Sequence, residues 1–355
     1  MKIIHSQHHH LTNRGRNLLI GVIVGSIFLI GGVFYFFYSW GEKESPGVAE
    51  AKAHLLDTGV DAAQRLDEPL IPISRPENLD AQKVALGQLL FRDARLSKDG
   101  TVSCASCHDL TRGGVDHLPQ SLGVGKAKGS INAPTVYNSS LNFRQFWDGR
   151  AATLEEQAAG PILNPVEMAS NWDQVLRVLN EDERMLSRFH AIYNGPPTPE
   201  RVQNAIAEFE RSLLTPSRMD RWLRGESNAL SDEELKGYRL FKQYGCVACH
   251  QGENVGGNLF QRFGIMANYF AGRATTEADL GRFNVTKREE DKFVFKVPGL
   301  RNVAITAPYF HDASVNTLEE AVTIMGRYQL GIDLPKEDTQ SITRFLHALT
   351  GEQLQ

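Results

Sequence analysis

The chain has 355 residues, of which 41% are hydrophobic and 23% charged, and its formal net charge is −4. This composition argues against a disordered chain and against a protein with many membrane spans, and the charge argues against nucleic acid as a partner. A length of this order predicts two domains with accessory segments.

The first element in chain order is an uncharged apolar stretch at residues 18–40. As a helix it would measure roughly 34 Å, enough to cross a hydrocarbon core of about 30 Å. Arg14 and Arg16 precede it and Glu42 follows it, so the positive-inside rule predicts a cytoplasmic tail at 1–17 and a transmembrane anchor at 18–40. We expect a single-pass inner-membrane protein with its domains in the periplasm. A cleaved signal peptide is the alternative, although its apolar region is usually shorter.

After a linker at 41–68, the chain contains its only four cysteines, in two motifs of one form. These are Cys104-Ala-Ser-Cys107-His108 and Cys246-Val-Ala-Cys249-His250. Both pairs are followed by histidine, and no further pair remains to complete a zinc site. Two thiols followed by histidine are the attachment signature of haem c, in which the histidine ligates the iron. The sequence therefore predicts two covalent haems.

The two motifs belong to a duplicated chain. A Gly-x-x-Leu-Phe segment precedes each, at residues 87–91 and 237–241, and the helical stretch that contains the second opens with the spacing of a capping box at Ser231 and Glu234. Beyond the motifs, equivalent residues are offset by 164, as in Pro134 and Pro298, Asn138 and Asn302, Phe146 and Phe310, and Thr153 and Thr317. We predict a mainly α-helical protein with two tandem cytochrome c-like domains, 69–230 and 231–355, behind the anchor.

Differences between the copies indicate different chemistry. Met325 in the second copy is a candidate sixth ligand, because a thioether raises the potential of an electron-transfer haem; packing in the core is the alternative. Its counterpart in the first copy is Pro161, which cannot ligate iron. Met168 is a rival ligand there. Glu167 is a candidate acid–base group if burial raises its pKa, and an exposed loop acid otherwise.

One further pair of equivalent residues, Trp147 and His311, offers one aromatic ring in each copy. Trp147 is either a packed core residue or a ring between the haems that helps electron transfer. The residues alone leave these two readings even.

The chain resembles the bacterial dihaem cytochrome c peroxidases and the related MauG-type enzymes over residues 69–351. The resemblance is carried by the two haem motifs, Gly113-Gly-Val-Asp116, Asn132-Ala-Pro134, Gln145-Phe-Trp-Asp-Gly-Arg150, Pro298-Gly-Leu-Arg-Asn302, Pro308-Tyr-Phe-His-Asp312 and Met325-Gly326.

The resemblance implies a peroxidatic haem in the first domain and an electron-entry haem in the second. His108 and His250 become the proximal ligands, Met325 the sixth ligand of the second haem, and Trp147 a residue between the haems. Gln157 and Glu167 would line the peroxide pocket, with Glu167 as the proton carrier.

The resemblance also implies calcium and further partners. The calcium ion would be held by Asn132 and the backbone carbonyls of Thr306 and Pro308, since oxygen ligands suit Ca²⁺. The expected partners are hydrogen peroxide, a small cytochrome, a cupredoxin or quinol as electron donor, and a second copy in a homodimer.

Val124 departs from the family pattern. Many members have a histidine there that caps the peroxidatic iron, and valine cannot ligate. His117 lies nearby in sequence and is a possible substitute ligand. Two functions compete with peroxide reduction: a MauG-type oxidase that modifies a partner protein, and an electron carrier with both irons six-coordinate. Met325 argues against the first. Glu167, Gln157 and the absent ligand at Pro161 argue against the second.

Overall fold

The computed structural model describes residues 67–74, 76 and 78–354. The predicted tail, anchor and nearly all of the linker lie outside these residues. Within the described part, no helix combines the length and the apolar character needed to cross a membrane. The chain there is mainly helical, as the sequence predicts, and its one sheet has two antiparallel strands.

The helices of the first half precede and follow the first haem motif in the chain. They are α1 (Ala81–Phe91), α2 (Cys104–Cys107), α3 (Leu154–Leu163), α4 (Trp172–Glu181), α5 (Glu183–Tyr193) and α6 (Pro199–Arg211). Most of these helices are capped at their N-terminus by a short polar residue. Asp80, for example, accepts hydrogen bonds from backbone N–H groups in the first turn of α1. Between α2 and α3 the backbone runs through turns and short 3-10 helices.

The second half repeats this plan around the second motif. Its helices are α7 (Arg218–Leu223), α8 (Asp232–Gln243), α9 (Phe283–Thr286), α10 (Leu318–Ile324) and α11 (Lys336–His347), with a π-helix at Met325–Leu330. Strand β1 (Phe260–Arg262) pairs with β2 (Val294–Lys296), and Phe260 lies opposite Lys296. The predicted capping box of α8 is confirmed, since Ser231 and Glu234 exchange side-chain to backbone hydrogen bonds.

Single 3-10 turns join these elements. They lie at Ala94–Leu96, Leu110–Arg112, Val124–Lys126, Ser139–Leu141, Cys246–Ala248, Ala278–Leu280, Glu289–Asp291, Val303–Ile305 and Glu352–Leu354.

The same helix crossing supports each haem motif. A Cβ atom on Gly87 of α1 would lie 1.9 Å from the Ala205 carbonyl oxygen of α6. In the second copy, a Cβ atom on Gly237 of α8 would lie 1.9 Å from the Ser341 carbonyl oxygen of α11. Only glycine permits this approach of two backbones. A phenylalanine one turn later packs on the partner helix in both copies, in the pairs Phe91 with Phe209 and Phe241 with Phe345.

Each half has its own hydrophobic core. The first joins α1, α3, α4, α5 and α6 through buried residues such as Leu90, Ile162 and Phe189. The second joins α8 and α11 through Phe241 and Phe345, and it also takes in Leu70 and helix α7. The haem motifs lie at the edges of these two cores, because Cys104 and Cys246 pack against them while remaining partly accessible.

Candidate haem and peroxide site

The first haem motif presents two thiols and one imidazole. Cys104 and Cys107 begin and end the single turn of α2 and form no disulfide. Burial raises the pKa of Cys104 to about 12, so its thiol is neutral. His108 follows with Nδ1 3.3 Å from the Gly114 carbonyl oxygen, and burial lowers the pKa of this histidine. A neutral ring that donates from Nδ1 has its lone pair on Nε2, the atom suited to iron.

The second motif is built in the same way. Burial raises the pKa of Cys246 to about 11 and lowers that of His250 to about 4. Nδ1 of His250 is buried without a hydrogen-bond partner. Gly256, at φ 120°, lets the Pro298 carbonyl approach this ring, because a Cβ there would lie 2.5 Å from that oxygen and 3.1 Å from Nδ1. Unpaired thiols beside a neutral histidine fit a covalently bound haem at both motifs.

Met325 lies at the start of the π-helix, directly after α10. It is half-buried, and it is not among the residues that form the second core, although its neighbour Ile324 packs there. Helical turns of the π type are frequent at functional sites. The ligand role and core packing therefore both stay open for Met325. Its counterpart Pro161 lies inside α3 and offers no ligand atom.

Glu167 is half-buried between the end of α3 and the loop that contains Val124. Asn164 Nδ2 donates to Glu167 Oε1 at 2.6 Å, and the Val124 N–H donates to the Glu167 carbonyl oxygen at 2.8 Å. Burial raises the pKa of Glu167, against smaller opposing effects of Asn164 and Arg150. This is the direction that a proton carrier needs. Gln157 is half-buried on the same helix as Pro161.

The two rival ligands are engaged elsewhere. Met168 is 2% exposed within the first core. His117 Nδ1 lies 2.8 Å from the Ala307 carbonyl oxygen and Nε2 lies 3.0 Å from that of Arg112. Either residue would have to leave these surroundings before it could ligate iron.

Trp147 and His311 meet where the two copies join. Their ring centroids are 6.3 Å apart. Trp147 Nε1 donates to the Asn132 carbonyl oxygen at 2.9 Å, and His311 Nε2 lies 2.8 Å from Asp279 Oδ1. The tryptophan is therefore fixed at the junction between the halves and is not buried within either core.

Asn132 lies beside the segment that contains Thr306 and Pro308. Its N–H donates to the His311 carbonyl oxygen at 2.9 Å, and its Nδ2 donates to that of Leu118 at 3.0 Å. Both amide N–H donors of Asn132 thus face protein carbonyls, and its side-chain oxygen is of the kind that suits a calcium ion. The calcium site with Thr306 and Pro308 stays a prediction.

Within the described residues, one cluster of acidic and histidine side chains has the spacing of a metal site: Asp279, His311 and Asp312. Arg273 pairs with both carboxylates, at 2.7 Å and 3.2 Å. Burial raises the pKa of Asp279, but hydrogen bonds from Arg273, Thr276 and His311 together lower it by more than burial raises it. The pKa of Asp279 is therefore below its usual range. The cluster is an ion-pair network that orients His311. Sequence reasoning missed it, because Asp279 lies outside the Pro308-Tyr-Phe-His-Asp312 motif that contains the other two residues.

Comparison with known proteins supports the same picture. The family model for di-haem cytochrome c peroxidase matches residues 81–228. The cytochrome c551 peroxidase of Nitrosomonas europaea is 48% identical over 85% of this chain and 89% of its own length. The cytochrome c peroxidase Ccp of Escherichia coli is 51% identical over 86% of this chain, which spans only 66% of that longer protein.

More distant relatives have related names. The MauG protein of Methylorubrum extorquens is 33% identical over 70% of each chain. The crystal structure of a MauG-like protein associated with microbial copper homeostasis superposes with a TM-score of 0.71, at 29% identity over 81% of this chain and 93% of that one. The duplicated haem motifs, the fold and these relatives agree, and the chain belongs to the dihaem cytochrome c peroxidase family.

Proposed function

We propose that this protein reduces hydrogen peroxide to water with electrons from an external donor. The observation that carries the proposal is the asymmetry between two otherwise matching haem sites. The second has Met325 where a sixth ligand is expected, whereas the first has Pro161 there and a half-buried Glu167 of raised pKa nearby.

A haem held by Cys104, Cys107 and His108 would supply an iron that binds peroxide and takes part in its reduction. Glu167 would accept the proton of the peroxide oxygen nearer the iron and return it to the farther one, so that water can leave. Asn164 holds the carboxylate in place through its 2.6 Å hydrogen bond. Gln157 would keep the pocket polar.

Electrons would enter at the haem held by Cys246, Cys249, His250 and Met325. Trp147 would lie on their way to the first haem, because it is fixed at the junction of the copies by its bond to Asn132. A calcium ion held by Asn132 and the carbonyls of Thr306 and Pro308 would order the same junction. We further propose a periplasmic location behind a single anchor at residues 18–40, a cytochrome, cupredoxin or quinol as donor, and a homodimer.

The deciding experiment is peroxide-dependent oxidation of a reduced small c-type cytochrome by the haem-loaded protein. We expect two donor electrons consumed for each peroxide, and two haems that stay attached under denaturing conditions. Loss of peroxide without donor oxidation, or one haem for each chain, would contradict the proposal.

A MauG-type oxidase is the second candidate, since MauG proteins are relatives and Val124 offers no capping ligand. It differs from a peroxidase in that the partner protein whose electrons it takes is itself chemically modified. Rapid turnover with a small donor alone would exclude it. An electron carrier would consume no peroxide at all.

A further inference from the structure

The two copies contact each other through a repeated backbone bond. With the offset of 164, Lys296 is the counterpart of Asn132, and His311 is the counterpart of Trp147. The Asn132 N–H donates to the His311 carbonyl oxygen at 2.9 Å, and the Lys296 N–H donates to that of Trp147 at 2.8 Å. The junction therefore contains two related sites, one built around Asn132 and one around Lys296.

The partners of the two side chains correspond as well. In the proposed calcium site, Asn132 acts with the carbonyls of Thr306 and Pro308. The counterpart of Thr306 is Asn142, and Lys296 Nζ lies 3.4 Å from the Asn142 side-chain oxygen. The ammonium group of Lys296 thus reaches the residue that is equivalent to Thr306, although through its side-chain oxygen.

Lys296 is a buried cation without an acidic partner. Its residue is 8% exposed, and no carboxylate among the described residues forms an ion pair with it. Burial lowers the pKa of Lys296 to about 8, so the group is still mostly protonated at neutral pH. Buried charges are normally paired, because removing them from water is costly.

The oxygen that Lys296 faces is shared with a second donor. Asn254 Nδ2 donates to Asn142 Oδ1 at 3.0 Å, and Gly257 lies so close that a Cβ there would be 2.3 Å from the same oxygen. One side chain of the first copy therefore receives donors and close backbone from the second. This is the arrangement of an interdomain tether centred on positive charge.

We infer that Lys296 is the built-in cation of the second junction site, where its ammonium group takes the place that a calcium ion takes beside Asn132. The inference rests on the calcium site of the proposed function and deepens it. Its consequence is that the protein takes one calcium ion rather than two, and that the Lys296 side of the junction is insensitive to chelators.

The test exchanges the two side chains in the haem-loaded protein, which is stripped with a chelator and then titrated with calcium chloride alone. We expect one bound ion for the wild type. Lys296→Asn gives the second site the residue of the first, so we expect one additional ion. Lys296→Met removes the charge without supplying an oxygen ligand, so it should gain no ion.

The reciprocal variant, Asn132→Lys, should bind no calcium, and its unfolding temperature should not respond to the chelator. The inference is overturned if folded Lys296→Asn gains no ion. If Lys296→Asn does not fold, unchanged calcium binding by Asn132→Lys overturns it. A wild type that binds no calcium would overturn both the calcium site of the proposed function and this inference, whereas one ion in the wild type and still one ion in Lys296→Asn would overturn the inference alone. Peroxide turnover is measured separately and tests only the peroxidase activity.

Discussion

At the scale of single residues, the carboxyl group of Glu167 is the sharpest test of the peroxide site. If it moves the proton during cleavage of the O–O bond, Glu167→Gln keeps the Asn164 contact possible but removes the base. We expect turnover to fall about 10²–10⁴-fold, the usual size of a lost general acid–base, while both haems stay bound. Steady-state peroxidase assays measure this, with Glu181→Gln, an exposed acid, as the control.

The pH profile should carry the same signature. Glu167 must be ionised to accept a proton, and burial raises its pKa above the ordinary 4.5. Activity of the wild type should therefore rise with pH through that raised pKa and be lost below it. Glu167→Gln should lack this acid limb. If Glu167→Gln kept near wild-type activity and an unchanged acid limb of the pH profile, the proton transfer would belong to another group.

Met325 provides a prediction with a spectroscopic readout. Replacing the thioether by Met325→Ala should lower the reduction potential of the second haem and remove the weak red absorption band that methionine ligation gives ferric haem. Met168→Ala is the matched control, because that methionine is buried in the first core. A Met325→Ala protein with unchanged spectrum and potential would return Met325 to a packing role.

The residue at position 124 bears on whether the first haem has a sixth ligand in the fully oxidised protein. Its N–H donates to the Glu167 carbonyl oxygen, so this position is next to Glu167. Because valine has no lone pair and Pro161 cannot ligate, we expect a high-spin ferric signal in the fully oxidised protein and peroxide turnover without prior reduction. Val124→His should convert that signal to low spin and introduce a lag that reduction removes. Electron paramagnetic resonance decides this; two low-spin signals in the wild type would contradict it.

The sequence predicts the roles of some site residues better than those of others. The haem ligands follow from covalent spacing, since two thiols and a histidine must be adjacent in the chain. The environment of Glu167 could only be posed as two alternatives, because a pKa depends on burial. The carbonyl that engages His117 is 190 residues away, and no local pattern reports such a contact.

At the scale of elements, the paired helix crossings depend on glycine. In Gly237→Ala the added Cβ would meet the Ser341 carbonyl oxygen at 1.9 Å. The greater helix propensity of alanine, about 1 kcal/mol, is smaller than the cost of separating α8 from α11, about 1–3 kcal/mol or more. We expect a lower free energy of unfolding in urea. Gly129→Ala is the control, because the nearest atom to its Cβ is 3.6 Å away; equal stability of the two variants would contradict the prediction.

The sequence predicts elements best where a side chain makes the boundary. The capping box of α8 is such a case, because Ser231 and Glu234 bond each other's backbone. The π-helix at Met325–Leu330 is not predicted. No local pattern in these six residues distinguishes a π-helix from an ordinary helix.

At the scale of the whole molecule, the offset of 164 predicts the duplication, and the structure shows how the copies join. Asn138 and Asn302, equivalent residues, both donate to the hydroxyl of Thr215, at 2.7 Å and 2.9 Å. Thr215 has no counterpart in the motif pattern. Its role depends on both copies at once, so no search for repeats could identify it.

Thr215→Val tests whether this shared hydroxyl couples the domains. The change keeps the shape but leaves the side-chain N–H groups of two buried asparagines without their acceptor, at about 1–3 kcal/mol for each. We expect calorimetric unfolding at a lower temperature, with the wild-type transition broadened or divided because the two cores lose a common contact. Thr343→Val is the matched control, since the Thr343 hydroxyl is buried without a partner and its loss should cost little. Equal unfolding of the two variants would mean that the cores are held together by other contacts of the junction.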